Sequence, residues 1–193
     1  MTKHAVLMAL AAMLAGCGQH SGEADQPRPT PTPLITGGWA TVFGDAPKTV
    51  ELLNNTGFRL SPYAPAGTGT VARAQPTPMA DPSVTPVNMA NLTVTGDAQR
   101  IDKLVFTLDI VNLGSSPFAK EQFARWVDRP LASMNLPGRD EVKRGILTES
   151  PAKGSLPGAE YQTTREKIDG GRRLVVTFTR PAQAGSSSEP RKQ

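Results

Sequence analysis

The stretch Ile101-Asp102-Lys103-Leu104-Val105-Phe106-Thr107-Leu108-Asp109-Ile110-Val111 decides how the chain is read. Leu104, Phe106, Leu108 and Ile110 alternate with more polar positions, the period-two pattern of a strand with one buried face. Upstream lies Asn91-Leu92-Thr93-Val94-Thr95, with Gly96-Asp97 between the two runs, so the pair reads as a β-hairpin. Toward the C-terminus, Leu174, Val176 and Phe178 alternate with Val175, Thr177 and Thr179. The turn Asp169-Gly170-Gly171 joins that strand to Tyr161–Ile168, which is polar on both faces and is expected at a sheet edge, protected by its charges.

Helices are expected before each hairpin. Asp45 can cap a helix whose first turn tolerates Pro47 and which Asn55-Thr56-Gly57 stops, with Val50, Leu53 and Phe58 toward the core. Trp39, Val42 and Phe43 either extend that helix backward or form a packed lead-in. Ser116 before Pro117 starts another helix, with Phe123, Trp126, Val127 and Leu131 near one face. Lys120, Glu121, Arg125 and Asp128 lie around its other faces, and Pro130 is expected to kink or end it. A shorter helical turn is expected from Asp140 to Ile146. The fold class is therefore α+β, helices packed on one face of a four-stranded antiparallel sheet in the order α-β-β-α-β-β.

Proline marks what lies outside that pattern. Of 18 prolines in 193 residues, twelve fall in residues 17–37, 61–87 and 181–193. Alternating proline from Pro27 to Pro33 disfavours helix and central strand, so 17–37 reads as an extended tether. Residues 61–87 read as a disordered or loosely packed insert, and 181–193 as a disordered tail. What remains, 38–180 with its insert, is a single domain.

The N-terminus is Met1-Thr2-Lys3-His4, an apolar run from Ala5 to Ala15, and Gly16-Cys17. A short basic head followed by about a dozen apolar residues fits an export signal and is too short for a lasting membrane span. The junction Leu14-Ala15-Gly16-Cys17 resembles the lipobox of bacterial lipoproteins. The resemblance covers residues 1–17 alone. It implies a signal peptide over 1–16, cleavage before Cys17, a diacylglyceryl group on the Cys17 thiol and acylation of the new amino terminus, palmitate being the usual kind of chain. Gly18 rather than Asp after the cysteine favours the outer membrane, facing the periplasm.

The same counts exclude much chemistry. One cysteine makes no intrachain disulfide or CxxC centre, and of the two histidines His4 falls in the signal peptide while His20 follows the lipid site. No histidine-based triad or multi-histidine metal site is left, and no cofactor or metal is expected. Asp97 and Asp169 sit in turns, Asp109 fits a solvent face, and Gly-rich stretches such as Gly67-Thr68-Gly69 lack the context that cradles phosphate. No catalytic residue emerges, so an enzyme is not expected.

The net charge is +4 and the pI about 9.5, with basic residues gathered late in the chain. Tyr161, Arg165, Lys167, Arg172 and Arg173 form the expected partner surface. The expected function is a lipid-anchored periplasmic protein-binding module, either an accessory component of an envelope or secretion system or an immunity-type inhibitor. Its expected partners are the membrane, through the lipid, and an envelope protein; the location disfavours nucleic acid. An envelope glycan or small-ligand binder, and a carboxylate-dependent cell-wall hydrolase, are the alternatives.

Overall fold

A computed structural model describes residue 32 and residues 34–80 and 83–182. The expected signal peptide, Cys17, His20, most of the expected tether and residues 183–193 of the expected tail lie outside the described residues. Among those described there are four helices: α1 (Gly38–Gly44), α2 (Ala46–Asn55), α3 (Ser116–Ser133) and α4 (Arg139–Thr148). Eight strands accompany them: β1 (Ala64–Ala66), β2 (Gly69–Arg73), β3 (Thr77–Pro78), β4 (Met89–Gly96), β5 (Ile101–Ile110), β6 (Ala152–Leu156), β7 (Ala159–Ile168) and β8 (Gly171–Thr179).

The fold is α+β, but its antiparallel sheet has eight strands rather than four. Their order is β1-β2-β4-β5-β8-β7-β6, with β3 beside β4. The two expected hairpins are the centre of this sheet. β5 pairs β4 on one side and β8 on the other, so Leu92, Phe106, Val176 and Thr163 form one cross-strand row. Leu92, Leu104, Phe106, Leu108, Ile110, Val176 and Phe178 are all essentially inaccessible, whereas the intervening Val105, Thr107, Val175 and Thr177 are partly exposed. One face of the sheet is thus covered by helices and the other meets solvent, as antiparallel sheets permit.

Aromatic side chains join the layers. Trp39 of α1 stacks on Phe178 with ring centroids 4.5 Å apart, and Phe178 meets Phe106 edge-on at 6.2 Å. Phe106 in turn meets Phe58 and Trp126 at 5.9 Å each, and Phe58 lies 4.5 Å from Trp126. Such pairs add about 0.5–1.5 kcal/mol each beyond their buried area.

Several expectations are corrected. The insert 61–87 is built into the sheet: β1, β2 and β3 lie within it, and Ala72, Ala74 and Met79 are buried. A further strand, β6, precedes β7 and pairs Ala152 through Leu156 with Thr163 through Ala159. Tyr161–Ile168 is therefore a sheet edge only in its second half. Packing begins before residue 38, since Ile35 is buried and the Leu34 N–H donates to Ser133 O at 2.9 Å.

Pro130 neither ends nor interrupts α3, which runs on to Ser133. Only the last turn follows it, and the Met134 N–H donates to Pro130 O, so the ring forfeits one helical bond near the end. α3 starts at Ser116 as expected, and its N-cap Ser115 makes no side-chain cap bond, its hydroxyl being engaged by the buried Asn88: Asn88 Nδ2 donates to Ser115 Oγ and Asn112 O, and its Oδ1 accepts from the Val111 and Asn112 N–H groups. Trp39, Val42 and Phe43 form their own helix, α1, ahead of the Asp45 cap, whose Oδ1 accepts from the Lys48 N–H at 3.0 Å.

Candidate interaction surface

Cross-strand register separates the five residues expected to form one surface. Tyr161 opposes Phe178, Arg165 opposes Leu174 and Lys167 opposes Arg172, so these four project on the helix-covered side of the sheet. Arg173 opposes Asp109 and Glu166 and projects on the open side. Arg165 and Lys167 are exposed, while Tyr161 packs against the core over Gly154, where an added Cβ would lie 2.6 Å from Tyr161 Cε1.

Both arginines of the β8 pair are engaged. Arg172 grips Glu149 with Nε–Oε2 at 2.6 Å and Nη2–Oε1 at 2.7 Å, and Nη2 also donates to Ser116 Oγ. Lys120 Nζ joins the same carboxylate at 3.1 Å and donates to Leu147 O. The Arg172 hydrogen bond, with that of Lys120, holds the Glu149 carboxyl below the usual carboxylate range against the opposing effect of burial. This cluster ties β8 to the ends of α3 and α4. On the other face Arg173 makes a bidentate pair with Asp109, at 2.5 and 2.8 Å. These guanidinium groups fasten the molecule together, so reversing their charge disturbs the fold as well as the surface.

A different set of residues forms a groove. α3 presents Phe118, Gln122, Arg125 and Arg129 at spacings of four, three and four, one stripe of a helix with about 3.6 residues per turn. The groove runs between this stripe and Thr77, Pro78, Met79 and Ala80, with Trp126 as a wall and a volume of about 500 Å³. Trp126 is held by Phe58, Phe106 and Phe123, so the wall is preformed.

Chemistry along the groove is lopsided. Phe118 is 47 % exposed and Pro78 is exposed across from it, whereas Met79 and Trp126 are buried and only back the groove. Among the described residues no carboxylate lines it. Arg129 makes one long contact, 3.5 Å to Thr56 O, and Arg125 pairs at 3.2 Å with Glu121, both of whose side chains are mostly solvated. A pair so exposed contributes at most about 1 kcal/mol and yields readily to a competing anion. Nearby Asp128 is taken by a bidentate bond from Arg139, at 2.7 and 2.8 Å.

The exposed large apolar side chains among the described residues are Leu34, Leu113 and Phe118. Phe118 opens the stripe, Leu34 is bonded at Ser133, the position four residues beyond Arg129, and Leu113 lies in the link leading into α3. The sequence holds a signal for this. At about 100° per residue Phe118 lies roughly 140° from Phe123, off the buried face, where a bulky apolar side chain has no core to join.

Among the described residues no group of three or more His, Cys, Asp and Glu side chains is placed to hold a metal ion, and no helix is long and apolar enough to cross a membrane. Comparison with family models, with curated proteins and with solved structures finds no match.

Proposed function

We propose that this chain is a lipid-anchored module of the bacterial cell envelope that binds another protein through the groove along α3. The anchor rests on Leu14-Ala15-Gly16-Cys17, and the binding role rests on one observation: apolar and cationic side chains converge on a preformed groove with no acidic side chain among the described residues that line it. An aromatic anchor beside arginine is the composition that carries binding energy at protein interfaces. Either context, an accessory part of an envelope machine or an immunity-type inhibitor, uses such a surface. The Tyr161–Arg173 region supports this reading less well, because two of its five residues are locked in ion pairs and they project from opposite faces.

The test is a photo-crosslinking amino acid placed at Phe118 in the full-length, membrane-bound protein, with the same residue at Thr107 on the open sheet face as control. One identified protein adduct from position 118, absent from 107 and lost on Arg129→Glu, is the expected result. Adducts from 107 alone, or equally from both positions, overturn the assignment.

A further inference from the structure

Resting on that reading of the groove, we infer the chemistry of its occupant: an extended acidic segment of the partner, with one apolar side chain against Phe118 and carboxylates on Arg125 and Arg129. The spacing follows from the helix. At about 1.5 Å of rise per residue, Phe118 and Arg125 are about 10 Å apart along α3, and Arg125 and Arg129 about 6 Å. An extended chain advances about 3.3 Å per residue and turns only every second side chain to one side, so the matching segment carries an apolar residue and then acids about four and six positions away on the same face, the long arginine side chains spanning the remaining ~3 Å.

Charge complementarity selects the acids. Two guanidinium groups face the groove and its lining supplies no carboxylate among the described residues, so an incoming carboxylate meets donors held by weak, solvated contacts. The apolar half selects a peptide over an anionic saccharide. The exposed Phe118 and Pro78 gain only from covering apolar surface, which a polyanion without an apolar group leaves wet.

The experiment uses the full-length protein in detergent and a fluorescent Leu-Gly-Ser-Gly-Asp-Ser-Asp peptide, read by anisotropy. Two relatives of the peptide accompany it, one with Asn for both Asp and one with Gly for Leu. Saturable binding that weakens at least about tenfold for each relative, and further with added salt, is expected. Arg129→Glu should weaken the acidic peptide and strengthen a Lys-for-Asp version, an exchange that a misfolded variant cannot produce. Equal binding of the Asn peptide, or equal competition by a sulfated polysaccharide, overturns the acidic-segment inference. So does the absence of peptide binding while the position-118 adduct still forms, which leaves the groove's docking role standing. Loss of both signals removes the two together.

Discussion

Glu149 sits at the C-cap of α4 with φ +53°, in the left-handed region where a side chain costs about 1 kcal/mol or more. What holds it there is its carboxylate, which accepts from Arg172 and Lys120 with only 11 % of its side chain exposed. Glu149→Gln leaves two cations facing one neutral amide, and we expect a loss of about 2 kcal/mol in urea unfolding at pH 7. The pH dependence has a definite sign. Because the folded carboxyl lies below its ordinary range, chiefly through the Arg172 hydrogen bond, the unfolded chain takes up its proton first as pH falls. The stabilisation is complete above the ordinary carboxylate range and is lost as pH drops through the folded value. The gap between wild type and Glu149→Gln should therefore close in acid. A gap that stays constant to pH 2 would mean that shape, not charge, holds this corner together.

At the scale of elements, the proline-rich segment joins the core through β2. Ala72 of β2 is fully buried and opposes Val94 of β4, so Ala72→Asp places an unpaired charge in the core. A loss of about 4 kcal/mol is expected, measured as a shift of the denaturation midpoint. A neutral result would mean that β2 is not part of the cooperative unit. α4 reaches the sheet through Gly145, where an added Cβ would lie 3.0 Å from Thr163 Cγ2. Gly145→Val should cost about 1–3 kcal/mol by lifting α4 from β7, and a stabilised variant would contradict that close approach. These elements also mark how far the sequence could be read. β4, β5 and β8 were legible because Leu, Phe and Ile alternate over eight to ten residues. β1, β2, β3 and β6 run for only two to five residues, rich in Ala, Gly, Pro and polar side chains; β1, β3 and β6 bury no residue, and β2 buries only Thr70 and Ala72, too little apolar bulk to mark a strand. The charges of β7 were visible, but a strand polar on both faces does not say which side the helices cover; the register with Phe178, Val176 and Leu174 does. The groove needed β3 and α3 side by side, a pairing that no local pattern announces.

At the scale of the whole molecule, two forces could keep the chain at a membrane: acyl chains on Cys17, or the net charge of +4 acting on anionic lipid. Their magnitudes separate them. Acyl burial contributes about 0.8 kcal/mol per methylene, so two or three chains hold firmly and are indifferent to salt. Attraction of scattered surface charges fades over a Debye length, about 3 Å in 1 M salt. The wild-type chain should thus stay in the membrane fraction through a wash with about 1 M salt. Cys17→Ser should move it to the soluble fraction and abolish labelling by a fatty-acid probe. Its unfolding midpoint should not change, because the buried core of the described residues begins at Ile35 and runs to Phe178. If Cys17→Ser remains with membranes in high salt, the lipid anchor is wrong. If it leaves, the same soluble variant should still bind the acidic peptide, since Phe118, Arg125 and Arg129 belong to the folded part of the chain and the lipid sets only where the groove is held.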